Sequence, residues 1–165
     1  MTPLAESTPG TALRGKQLEV YLNDHLAGST GGLELARKMV QESKDERERS
    51  VLGVIANEIQ EERDILKDTI SALSCKENPI KKATGWLAER VAGLKLSPAL
   101  HDPGLTRILE IEALSTGVAG KRCLWQNLSW LQAKDDRLQR FDYADLKHLA
   151  ETQLERLDSL RERLV

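Results

Sequence analysis

The chain is poor in aromatic residues and in cysteine. Phe, Trp and Tyr make up 4% of its 165 residues, and only Cys75 and Cys123 carry thiols. So few aromatics beside 40% hydrophobic and 30% charged residues argue against sandwiches and barrels and for long amphipathic helices. Two cysteines make neither a disulfide framework nor a zinc-binding spacing, and reduced thiols suit the cytoplasm. A surplus of one charge is also missing. With 24 Lys and Arg against 26 Asp and Glu the net charge is −2, which gives no general attraction for nucleic acid or an anionic membrane. No apolar run approaches the roughly 18 residues that a membrane span needs. The opening MTPLAESTPGTALRG lacks the basic start and apolar middle of a secretory signal. Its composition is that of a disordered arm over residues 1–15, ahead of one domain at 16–165.

What is there is helical periodicity. Apolar or small residues recur at steps of three and four along Leu18, Leu22, Leu26, Ser29, Leu33, Ala36 and Val40, predicting a first helix over 16–43. Val51, Ile55, Ile59, Leu66, Ile70 and Leu73 predict a second over 46–74, with Asp45 and Glu48 spaced as a capping box. Asn78 and Pro79 open a shorter helix reaching about Leu94. Asp102 and Pro103 open a long one continuing to Leu131, and Asp142 precedes a last one carrying Leu146, Leu149, Leu157, Leu160 and Leu164. No segment alternates as a half-buried strand does, so the fold is all-α. Short links after the first and fourth segments make two antiparallel hairpins. Residues 75–102 are enough chain to travel the length of a bundle, so the second and fourth segments are expected to run parallel. Two hairpins joined by one long crossover is the ferritin-like arrangement, here with a short extra helix in the crossover.

The glycines of GSTGG, Gly28, Gly31 and Gly32, raise a competing reading, since a glycine-rich loop can cradle a phosphate. The apolar column passes through them without slipping phase, however. Neither a preceding strand nor a following Lys-Ser or Lys-Thr is present. Continuous helix is the better reading. With Gly117 and Gly120 in STGVAGK, these small residues suggest a close approach of two helix backbones.

Polar residues at core phase are the candidate site. The column Val51, Ile55, Glu58, Glu62, Ile65, Thr69 places two carboxylates among aliphatic side chains, with Glu61 beside them. His25 falls on Leu18, Leu22, Ser29, Ala36; Glu112 follows Leu105 and Ile108; Gln153 stands between Leu149 and Leu157. Carboxylates seldom stay buried without a cation, a proton or hydrogen-bond donors.

With these inward carboxylates, the helix order and the stretches YLNDHLAGSTGGLELA, EIQEERDIL, AERVAGLKL and GVAGK, residues 16–164 resemble an uncharacterised bacterial branch of the ferritin-like superfamily. The resemblance implies a dimetal-carboxylate centre built from two Glu and two Glu-x-x-His pairs. This chain departs from that pattern. Glu58 is followed three places on by Glu61, Glu151 by Leu154, and His148 precedes Glu151 in reverse order. Glu58, Glu62 and Glu112 remain as carboxylate ligands and His25 as a nitrogen ligand. Three readings stay open: a polar network in which His25 donates to Glu58 or Glu62, a rearranged iron or manganese site, and redox catalysis. The first is preferred, so no cofactor and a non-catalytic binding or scaffolding role are expected.

Trp125 and Trp130 point to nearly opposite faces of one helix, so one of them should lie outside the four-helix core. A homodimer is the expected partner for it; a small-molecule ligand is not identified. Trp86 and the basic residues Lys81, Lys82, Arg90 and Lys95 read as an ordinary surface helix rather than a nucleic-acid or membrane docking face.

Overall fold

Among the described residues, three of the four long helices start where a local rule places them. In the computed structural model, which describes residues 13–77 and 102–165, helix α1 spans Gly15–Glu42, α2 Glu46–Ala72, α3 Pro103–Gln132 and α4 Tyr143–Glu162. Asp45 caps α2 by accepting the Glu48 N–H at 2.7 Å. Asp102 caps α3 by accepting the Leu105 N–H at 2.8 Å, with Pro103 in the first turn. Asp142 caps α4 by accepting two N–H groups, from Ala144 and Asp145, at 3.0 Å each. Each cap satisfies a donor that the first helical turn leaves orphaned. The capping box expected at α2 is only half made. The Glu48 carboxylate turns instead to the Ser43 hydroxyl and to Arg107.

Helix α2 stops in a Schellman arrangement. Cys75 N–H bonds the carbonyl of Ile70 at 3.1 Å and Ser74 N–H that of Ser71 at 3.0 Å, with Ser74 in the left-handed region at φ 56°. Glycine is the usual residue there because it lacks the Cβ clash.

Side-chain links across the helices fix their directions. Lys38 reaches Glu110 at 2.5 Å and Asn127 reaches Tyr21 at 2.8 Å, so α3 runs antiparallel to α1. Thr69 meets Tyr143 at 3.0 Å and Arg163 meets Asp45 at 3.4 Å, so α4 runs antiparallel to α2. Helices α2 and α3 are therefore parallel, as the chain length between them suggested. The described residues are all helix, turn or irregular, with no strand. The extra helix read at 79–94 and most of the N-terminal arm lie outside the described residues.

The hairpins α1–α2 and α3–α4 carry the closest packing, α1 packs on α3, and α2 meets α4 more sparsely. Leu22, Met39, Leu52, Ile55, Ile70, Ile111, Leu128 and Leu157 are completely buried. Each such side chain contributes about 1.5–3 kcal/mol relative to exposure. Trp125 joins them at 1% exposure, whereas Trp130 is 63% exposed; the two indoles do take opposite sides of α3.

Helix α1 is unbroken through Gly28–Gly32, so the phosphate-loop reading falls away. The close backbone approach is corrected. A Cβ added at Gly28, Gly32, Gly117 or Gly120 would meet nothing within 4 Å. Small residues permit close packing but do not enforce it. Where α1 and α3 touch, the long side chains of Tyr21, Asn127, Lys38 and Glu110 span the gap. Gly31 is buried.

Candidate functional site

The inner face of α3 reads Ile111, Leu114, Val118, Lys121, Trp125, Leu128, a single column at steps of three and four with one lysine in it. At the same level α2 presents Glu58 and Glu62, and α4 presents Gln153 between Ala150 and Leu157. Glu62 is 1% exposed and Gln153 fully buried. The sequence thus forces a carboxylate, an ammonium and an amide into one apolar interior.

They satisfy one another. The Lys121 ammonium bonds the Glu62 Oε2 and donates to Gln153 Oε1 at 2.6 Å. Trp125 Nε1–H donates to Glu62 Oε1 at 3.0 Å. The Gln153 amide nitrogen donates to Glu62 Oε2 and to Glu58 Oε2, each at 3.0 Å. Arg156 closes the outer end with a 2.7 Å bond to Glu58 Oε1. Two carboxylates face two cations, so the cluster is neutral. Among the described residues no buried side-chain nitrogen or oxygen lacks a partner. Burial pulls the Lys121 pKa down, and the Glu62 carboxylate opposes that pull by favouring the charged ammonium.

A second cluster lies nearer the end of the bundle where α1 joins α2. Glu110, 2% exposed, accepts from Lys38 at 2.5 Å and from Arg107 at 3.0 Å. Arg107 also pairs with Glu48 at 3.3 Å. Each buried charge again has partners from another helix, as burial demands.

Of the residues read from the sequence, Glu58, Glu62 and Gln153 come together. Glu112 and Glu61 do not; both face solvent. The column through Leu105, Ile108 and Glu112 lies one residue, about 100° of helix rotation, from the true inner face. Its first apolar member, Leu105, is itself 38% exposed. His25 is half-buried and sits edge-on to Tyr21, ring centroids 4.6 Å apart, with no hydrogen bond to Glu58 or Glu62. Burial lowers its pKa, with Asp24 opposing. His148 and Glu151 form a surface pair at 2.9 Å.

The sequence reading passed over Lys121, Arg156 and Glu110, and it read Trp125 only as packing, not as a donor to Glu62. Continuing the column from Ile111 rather than Ile108 would have exposed Lys121 as an inward lysine opposite two inward glutamates.

Iron and manganese do not fit this set. Three donors already fill most of the roughly four acceptor positions of the Glu62 carboxylate, and a lysine ammonium holds the place beside it. Among the described residues no three His, Cys, Asp or Glu side chains gather so as to hold a metal ion. For nucleophilic chemistry, Cys75 has its thiol pKa raised by burial, the wrong direction for a thiolate. No family model, no curated protein and no solved structure matches the chain.

Proposed function

We propose that this is a non-catalytic helical-bundle protein of the ferritin-like kind, with a binding or scaffolding role. Its core carboxylates serve the fold rather than a reaction. One observation carries the reading: Glu62, the most buried of the candidate ligands, is committed to Lys121, Trp125 and Gln153. A carboxylate in that state is neither a vacant metal ligand nor a base with access to a substrate. The reading includes a homodimer, for which the 63% exposed Trp130 is the natural contact, and a cytoplasmic location, in keeping with two free thiols. It includes no nucleic acid and no integral membrane association; among the described residues no helix is long and apolar enough to cross a membrane.

The test is metal analysis of protein purified without chelator from a metal-replete medium, beside a solution mass measurement. Iron, manganese and zinc well below one ion per chain are expected, with the mass of a dimer. A stoichiometric ion that is lost on Glu58→Ala would overturn the non-catalytic reading in favour of a rearranged metal site.

A further inference from the structure

The outward line of α3 differs from that of the neighbouring helices. Leu105, Leu109, Glu112, Thr116, Ala119, Cys123 and Trp130 follow one another at steps of three, four and seven, so they lie within about 40° of a single line along the helix. That line is opposite the inner column of Ile111, Leu114, Val118 and Trp125, and turns away from the bundle. Leu105, Glu112, Thr116, Cys123 and Trp130 are exposed on it. Among the exposed residues of α3 only Glu112 and Arg122 are charged, whereas α2 exposes Arg47, Glu61, Asp64 and Asp68, and α4 exposes Asp145, Glu155 and Asp158. The water-facing side of a surface helix is ordinarily charged or polar. A nearly uncharged line at alternating steps of three and four is the pattern of a helix-pairing seam.

We propose that this line is the interface with a second copy of the chain, in which α3 packs antiparallel on its counterpart about a two-fold axis beside Cys123. The inference rests on the homodimer of the functional reading and gives it a surface, an orientation and a register.

Charge sets the orientation. A parallel two-fold pair brings Glu112 against the partner's Glu112, and like charges repel. In an antiparallel pair centred on Cys123, residues equally far from it in the chain oppose one another. Glu112 lies eleven places before Cys123 and Lys134 eleven places after it, so the carboxylate meets the partner's Lys134. Lys134 stays on the helical path just past the last turn, its N–H bonding the Leu131 carbonyl at 2.8 Å.

Size sets the register. Trp130 lies seven places after Cys123 and Thr116 seven places before it. The indole therefore enters the hole bordered on the other copy by Glu112, Ser115, Thr116 and Ala119, four residues at the i, i+3, i+4 and i+7 spacing of a knob-into-hole contact. Three of the four are small, which leaves room for the largest side chain on the line. Two-fold symmetry makes the contact twice and takes two exposed indoles out of water, the kind of side chain that dominates interface energies. Arg122, about 100° round the helix from Cys123, stays on the flank in water.

The experiment is sedimentation of the full chain, beside treatment with a short bismaleimide and peptide mapping of the product. A dimer is expected, joined Cys123 to Cys123, with the same product from Cys75→Ser. Trp130→Ala, at an exposed position, should weaken the dimer about tenfold or more and leave the helical circular dichroism unchanged. Glu112→Lys should weaken it too, and Glu112→Lys combined with Lys134→Glu should restore it, because the two positions oppose each other. A dimer that is indifferent to Trp130→Ala, that gives no Cys123–Cys123 product, or that the exchange of charges does not restore would overturn this interface and leave the homodimer standing. A monomeric mass across the concentration range would overturn both.

Discussion

Trp125 Nε1 stands 3.0 Å from Glu62 Oε1, and the other oxygen of the same carboxylate holds the Lys121 ammonium. Helices α2 and α3 are thereby pinned at one level by a pair of interactions that no sliding by a helical turn can preserve. Apolar seams alone tolerate such a slide, because one leucine substitutes for the next. We read the cluster as the device that fixes the axial register of the parallel helices, a recognised use of buried polar groups.

Breaking that pair should be costly, and removing it altogether should not. Lys121→Met leaves Glu62 charged and under-compensated in the core and should lose about 3–5 kcal/mol of stability in urea unfolding. Glu62→Gln combined with Lys121→Met should recover much of the loss, giving a coupling of about 2 kcal/mol in the double-mutant cycle. Simple additivity of the two single changes would show that the groups do not depend on each other.

Backbone effects offer a test of the helix assignments in both directions. Gly28→Ala and Gly117→Ala enter open space inside helices and should each stabilise by about 0.5–1 kcal/mol. Ser74→Gly relieves a left-handed residue at φ 56° and should also stabilise, by about 1 kcal/mol. A lowered melting temperature for either glycine replacement would mean that something packs against that face.

His25 sets an expectation for mild acid. Burial depresses its pKa, so the unfolded chain binds a proton before the folded one does, and stability is lost as pH falls below about 6.5. In His25→Gln the unfolding free energy between about pH 7 and pH 5 should change less steeply than in the parent. Parallel profiles for the two proteins would remove His25 from the account.

Tyr143 does the converse in alkali. Burial raises its phenol pKa, so its contribution is fully present below about pH 10 and is lost as pH climbs through the folded-state value. Tyr143→Phe gives up the 3.0 Å bond with Thr69 and should cost about 1 kcal/mol at neutral pH. The variant should also lose stability less steeply above pH 10 than the parent.

Much of the architecture was legible from periodicity and end signals. Asp45, Asp102 and Asp142 announce three helix starts, the unbroken leucine column overrides the glycines of α1, and the chain length between the hairpins makes α2 and α3 parallel. The helix starts and the continuity of α1 are local facts, decided within a few residues of chain; the parallel pair follows from the length of the connection alone. Inward placement on α2 and α4 was legible too, through Glu58, Glu62 and Gln153, since one strong apolar stripe marks each inner face. Helix α3 misled because it is apolar over more than one face: Leu105 and Ile108 drew the column toward Glu112, while Ile111 and Leu114 drew the true one toward Lys121.

By itself, then, the amino-acid order determined the helices, their caps and the presence of charge at core phase, because each of those depends on neighbours three or four places away. Only tertiary structure decided who meets whom: that Lys121 and Trp125 claim Glu62, that His25 turns to Tyr21, and that Glu112 is left facing solvent. Those outcomes depend on the rotation and relative height of helices far apart in the chain, quantities that no local pattern encodes.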